Sequence, residues 1–110
     1  MSTEVRKVLD QRAPAATTLT DAYTVPASTQ AVISTIMVCN NSSVTTTFRI
    51  SIAVAGAADT AKQYIYYDVV IPGNDTFAAT LGITLGAGDV IREYAGAATL
   101  LFNIFGVELS

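Results

Sequence analysis

Apolar and polar residues alternate most cleanly over Val44–Val54. Phe48, Ile50, Ile52 and Val54 fall on one side of an extended chain, and Thr47, Arg49, Ser51 and Ala53 on the other. A period of two with one polar side predicts a strand with a core face and a wet face. Gln30–Asn40 also reads as a strand, but both of its sides are apolar. Val32, Ser34, Ile36 and Val38 alternate with Ile33, Thr35, Met37 and Cys39. In Tyr64–Ile71, Tyr64, Tyr66, Asp68 and Val70 alternate with Ile65, Tyr67, Val69 and Ile71. Shorter strands are predicted at Tyr23–Val25 and Val90–Tyr94. Thr76–Leu81 and Ile83–Leu85 flank Gly82, which marks a bulge or a bend between two strands. The last strand runs from Ala98 to Leu109, bent near Gly106. It places Leu100, Phe102 and Ile104 on one face, and Leu101, Asn103, Phe105, Val107 and Leu109 on the other.

Turn chemistry separates these segments. Asn40-Asn41-Ser42-Ser43, Pro72-Gly73-Asn74-Asp75, Gly86-Ala87-Gly88-Asp89 and Ala95-Gly96-Ala97 carry the residues that turns favour. Helical signal is scarce. Glu4–Arg12 allows one short helical turn with Val5, Val8 and Leu9 on one side, broken by Pro14, and Ala57–Gln63 allows another. Neither is long enough to stand alone, and no helix of βαβ length separates the strands. The pattern predicts an all-β fold: an antiparallel β-sandwich or jelly roll of seven or eight strands over residues 22–110, preceded by an N-terminal arm over residues 1–21.

A two-layer sandwich covers one face of each sheet, and two of these strands are apolar on both. The surplus predicts burial against another subunit through Leu101, Phe105, Val107 and Leu109. At about 25 cal/mol per Å², about 800 Å² of apolar surface yields roughly 20 kcal/mol before association costs. The arm residues Val5, Val8 and Leu9 are expected to touch a neighbouring subunit.

Composition narrows the chemistry. The chain has 110 residues, of which 51% are apolar and 14% charged, with a net charge of −3. That balance suits one packed domain and opposes coating of nucleic acid by bulk charge. With no histidine and one cysteine, an ordinary zinc site, an intrachain disulfide and the usual neutral-pH base are all missing. Cys39 is expected to be a buried, inert thiol. Asp68 and Glu93 lie in strands, yet nothing in their spacing fixes a carboxylate pair, and solvated charge or pairing with an arginine such as Arg92 is the expected role. Asn74-Asp75-Thr76 and Gly88-Asp89 lack calcium-loop spacing and read as turn caps. Gly86-Ala87-Gly88 lacks the lysine and helix of a phosphate loop. Tyr64, Tyr66 and Tyr67 with Lys62 and Arg49 interleave aromatics and cations, a pattern more at home in a protein interface or sheet core than on single-stranded nucleic acid. No cofactor, metal or enzymatic activity is expected. The N-terminus lacks the apolar run of a signal peptide and no stretch has membrane-span length. Cytoplasmic synthesis is therefore expected, without membrane partners, and the three Asn-X-Ser/Thr sequences have no role as glycan acceptors.

Leu19-Thr20-Asp21-Ala22-Tyr23-Thr24-Val25-Pro26-Ala27 leading into Ala31–Ile36, Tyr64–Val69, and Asn74–Phe77 followed by Leu81–Leu85 and Gly88-Asp89-Val90 together resemble small structural proteins of tailed bacteriophage virions. The resemblance covers about residues 7–109. It implies a non-enzymatic β-sandwich on a phage particle, assembled in the host cytoplasm. The implied role is a capsid decoration (cement) protein, a trimer that clamps neighbouring capsid subunits and stabilises the shell. Alternatives are a tail, adaptor or fibre component, and a host-receptor or glycan-binding module. The implied partners are copies of itself and a major capsid or tail protein.

Overall fold

Eight strands satisfy the alternating segments by pairing first with last and inward from there. The computed structural model describes residues 4–110. Its strands are β1 (Glu4–Arg12), β2 (Thr20–Thr24), β3 (Gln30–Asn40), β4 (Thr46–Ala53), β5 (Tyr64–Ile71), β6 (Thr76–Leu85), β7 (Val90–Ala95) and β8 (Leu100–Leu109). One sheet has the order β1-β8-β3-β6 and the other β2-β7-β4-β5, with every strand pair antiparallel. The pairs β1–β8, β2–β7, β3–β6 and β4–β5 make this an eight-stranded jelly roll, as the strand count and turn spacing predict. The core lies between the sheets. Ile33, Ile36, Val38, Leu100, Phe102 and Ile104 come from the first, and Phe48, Ile50, Ile71 and Ile91 from the second. Phe48 packs on Phe77 with ring centroids 5.0 Å apart and meets Phe102 edge-on at 6.3 Å.

Several elements differ from the sequence expectation. Glu4–Arg12 is not a helical turn but the edge strand β1, paired along its length with β8. A nine-residue helix has little stability of its own, whereas the open edge of β8 offers a row of backbone partners. The expected arm is therefore largely built into the sandwich. Its 21/22 boundary falls inside β2, and residues 1–3 lie outside the described residues. Ala57–Gln63 contains only a 3-10 turn at Ala61–Gln63. The two segments around Gly82 form one strand, β6, whose register with β3 is irregular between Thr80 and Ile83. Val54, expected on the core face, leaves β4 into a 3-10 turn and is 69% exposed.

Bulges account for the remaining differences. Ser34 is the extra residue opposite the Phe105–Gly106 step of β8, and its hydroxyl donates to the Phe105 carbonyl at 3.1 Å. Beyond it the faces exchange: Ile33 and Ile36 both point into the core, while Val32, Thr35, Met37 and Cys39 line the outside. Asp68, with φ +50°, does the same in β5, so Tyr66, Val69 and Ile71 face inward and Tyr67 outward. Asn40 is buried and holds three turns together. Its side-chain amide donates to the Val44 carbonyl at 2.8 Å and the Pro72 carbonyl at 3.2 Å, and its carbonyl accepts from the Thr99 hydroxyl at 3.2 Å.

Glu93 is the anomaly of the core. It is 0% exposed, and neither carboxylate oxygen has a hydrogen-bond partner. It points inward from β7, opposite Ile50 of β4 and Thr20 of β2. The charged groups acting on it come from β1. Burial raises its pKa most, Asp10 raises it further and Arg12 lowers it; the balance lies near 8 against an ordinary 4.5.

Two predictions follow from this packing. A Cβ at Gly106 would sit 2.3 Å from the Val32 carbonyl oxygen and 2.8 Å from the Leu9 side chain. Gly106→Ala should therefore destabilise the fold by about 1–3 kcal/mol in urea unfolding. For Glu93, both states hold the proton below pH 4.5. Between 4.5 and about 8 only the folded state keeps it, so stability falls as pH rises; above 8 the loss is complete. Glu108, lowered by Lys7 and Tyr23, works in the opposite sense, its contribution being lost as pH falls through its folded value. Glu93→Gln should flatten the decline between pH 5 and 8 and raise alkaline stability by about a few kcal/mol. Urea titrations of both proteins at stepped pH check this.

Candidate interaction surfaces

β8 lies inside the first sheet, between β1 and β3, so its outward residues sit mid-sheet rather than at a rim. Leu101, Phe105, Val107 and Leu109 all point outward and are half-buried, as is Asn103. Their cross-strand neighbours extend the surface. Val8 of β1 and Thr35 of β3 flank Phe105, Val32 pairs with Val107, and Cys39 pairs with Leu101. Met37, opposite Asn103, is 36% exposed and Val8 46%. The result is an apolar stripe running diagonally over β1, β8 and β3. A shallow depression of about 490 Å³ opens in it between Arg6, Val8, Ser34 and Val107. Polar side chains bound the stripe. Gln11 donates to Asn103 at 2.6 Å, and the outer side of β6 carries Thr76, Thr80 and Thr84. Leu109 lies apart, beside the Ser28–Gln30 and Gly86-Ala87 turns.

The three arm residues do not share a side. Val8 joins the outer stripe, while Leu9 packs against the core at a bulge between Val8 and Asp10. Val5, opposite Glu108, is 44% exposed near the strand end. Helical spacing had grouped them, and a strand with a bulge separates them. Cys39, expected to be buried, is half-buried on the outer face. The Ser34 bulge is the cause, since it turns Cys39 away from the core.

The outer face of the second sheet is polar and aromatic. Arg49 lies 4.2 Å from the Tyr67 ring centre and 4.5 Å from that of Tyr94, and its Nε donates to Asp68 at 2.6 Å. The Asp68 hydrogen bond is the main cause holding the guanidinium above its ordinary pKa. Tyr64 meets Tyr67 edge-on at 5.1 Å and donates its hydroxyl to Asp59 at 3.1 Å; desolvation, then that bond, raises its pKa. Arg49, Asp59, Thr60, Ala61, Tyr64 and Tyr67 line a groove of about 560 Å³. Tyr66 does not belong to this surface: it faces inward and stacks edge-on against Phe77 at 5.2 Å. The aromatic set read from sequence is thus split between core and surface.

The two strand carboxylates do not meet. Asp68 faces outward to Arg49, and Glu93 faces inward. Arg92 instead pairs with Asp21 at 2.9 Å and donates to the carbonyls of Ala57 and Gly56. Asp89 accepts from the backbone N–H groups of Ala55 and Gly86, both at 2.9 Å, and Asp75 accepts from that of Thr76. Both are turn caps. Among the described residues no cluster of three or more His, Cys, Asp or Glu side chains is placed to hold a metal, and no helix is long and apolar enough to cross a membrane. The sequence reading missed the burial of Glu93, although its alternation with Ile91 and Ala95 in Val90–Ala95 carried the signal. It also missed the contribution of Val8 and Tyr94 to the two outer faces.

No protein-family model and no curated protein matches this chain. A solved structure from Bacillus endospore appendages, described as a novel family of disulfide-linked pili, aligns over 99% of this chain and 84% of its own at 15% identity, with a TM-score of 0.48.

Proposed function

We propose that this chain is a non-enzymatic structural subunit that self-associates through the outer face of its first sheet. Within that class we read it as a virion protein of a tailed bacteriophage: a capsid decoration (cement) protein that bridges neighbouring capsid subunits and stabilises the shell. The observation that carries the self-association is the apolar stripe of Val8, Val32, Met37, Leu101, Phe105 and Val107, which the chain's own second sheet does not cover. A stripe framed by polar residues suits a specific contact between folded subunits. The phage role rests on the sequence resemblance, which extends over nearly the whole chain. Trimeric assembly, and tail, adaptor or fibre placement as the alternative, come from the same source. Binding only the assembled shell would stabilise it by linkage.

A second reading, a host-receptor or glycan-binding module, is favoured by one feature. Tyr67 is 58% exposed beside the Asp59 and Arg49 groove, and aromatic rings flanked by polar groups suit sugar faces.

Phe105→Asp separates the readings. It should convert the purified oligomer to monomer in light scattering and abolish rebinding to particles stripped of the protein, with far-UV circular dichroism unchanged. Tyr67→Ala should leave both assembly readouts intact. A wild-type chain that stays monomeric at high concentration and does not bind particles overturns the assembly reading. Oligosaccharide binding lost in Tyr67→Ala would establish the second.

A further inference from the structure

Each sheet ends on two edge strands, and three of these edges are guarded. β1 carries Glu4, Arg6, Lys7, Asp10 and Arg12. β2 spans only Thr20–Thr24 and carries Asp21. β5 is bulged at Asp68, φ +50°, whose carboxylate binds Arg49. Charge, shortness and bulges are the usual means by which an edge avoids adding another strand. β6 is the exception. Its 10 residues, Thr76–Leu85, hold no charged side chain and no proline. Among the described residues it pairs only with β3, along one side. Its register with β3 is irregular between Thr80 and Ile83, yet alternation continues through that point: even-numbered residues 76–84 are exposed and odd-numbered ones turn inward.

The sequence of β6 mirrors itself about Thr80. Reading outward from that residue, Ala79 answers Leu81, Ala78 answers Gly82, Phe77 answers Ile83 and Thr76 answers Thr84. Small exposed residues match small ones, threonine matches threonine, and inward apolar residues match apolar ones. Where two identical strands pair about a twofold axis, residue i lies opposite j and j opposite i. An axis at Thr80 therefore sets these matches face to face, and a shift of one residue would put outward threonines opposite inward apolar side chains. Thr–Thr and apolar cross-strand pairs are favourable, and a strand without charge opposes no like charges. Phe77, Leu81 and Ile83 are only half-buried at this open side of the core, where Phe77 stacks on Tyr66 of β5. A second β6 would cover them. A strand of other sequence would meet the same backbone without this symmetry, so the occupant that fits the edge is a second copy of this chain.

We propose that β6 is a self-pairing edge: it docks antiparallel on β6 of a second copy, about a twofold axis at Thr80, and joins the two first sheets into one. The surface differs from the apolar stripe, so this inference goes beyond face-to-face assembly. The joined sheet carries both stripes on the same side, and edge pairing thereby widens the surface offered to further copies. A lone strand pair is marginal in water, so the contact is read by covalent trapping at high concentration.

The test uses full-length chains carrying Cys39→Ser, because Cys39 lies opposite Thr76 on β3. Each chain also bears Thr76→Cys, Thr80→Cys or Thr84→Cys, and the folded chains are oxidised at high concentration, alone and mixed. Directly opposed residues lie within disulfide reach, whereas two copies of Thr76 lie about 27 Å apart in this register. The axis predicts that Thr80→Cys links to itself, and that Thr76→Cys links to Thr84→Cys severalfold above either homodisulfide. Thr80→Lys in both members of the mixed pair should abolish the link. Thr80→Lys in one with Thr80→Glu in the other should restore it, with far-UV circular dichroism unchanged throughout. Oligomers in light scattering with only statistical disulfide yields overturn edge pairing and leave the face-to-face reading standing. Register-specific links in a chain that light scattering finds monomeric uphold edge pairing while the face-to-face reading fails.

Discussion

A two-layer sandwich can dry only one face of each sheet, and this chain places its most apolar strand where that limit is felt most. β8 runs between β1 and β3, with Leu100, Phe102 and Ile104 closing the core and Leu101, Phe105 and Val107 on the other side. An edge strand could tilt or shorten to hide such residues. An interior strand, bonded on both sides, has no such freedom. The core demands one face of β8, pairing fixes the strand in the middle, and alternation then presents the other face outward. The outer stripe is a consequence of how the core is built, and the neighbours that widen it, Val8, Val32 and Met37, come from the strands that pairing brings alongside.

The departures from simple alternation are equally physical. A strand's faces exchange wherever one extra residue is inserted. Ser34 does this in β3, Asp68 in β5 and the Leu9–Asp10 step in β1. Each bulge keeps large apolar residues in the core past a point where strict alternation would expel them. Ile33 and Ile36 both reach the interior only because Ser34 intervenes. The bulges also set the surfaces: Ser34 turns Met37 and Cys39 outward, and Asp68, in the left-handed region, turns Tyr67 out and brings its own carboxylate to Arg49.

The layout of the fold was legible because turns and alternation are local signals. Asn40–Ser43, Pro72–Asp75 and Gly86–Asp89 mark real turns, and the inner and outer faces of β8 follow directly from its sequence. What stayed hidden depends on partners distant in the chain. Glu4–Arg12 carries no strong strand preference, and it is a strand because β8, at the far end of the chain, has an edge to fill. Bulges were invisible for the same reason, since an extra residue is defined only against the strand opposite. Of the aromatic group, Tyr66 could be separated from Tyr64 and Tyr67 only after the turn at Asp68 was known.

Charge is largely consumed within the subunit. Five of the six basic residues, Arg6, Lys7, Arg12, Arg49 and Arg92, pair with Glu4, Glu108, Asp10, Asp68 and Asp21. Most of these pairs lie at the surface, where each contributes little stability, but they leave few free charges to steer a partner. A surface so neutralised recognises by shape and apolar contact rather than by long-range attraction. The exception is internal. Glu93 sits uncompensated beneath β1, where Asp10 opposes it and Arg12 offsets it only in part. A buried acid adds nothing to a static sandwich that leucine or glutamine would not supply better.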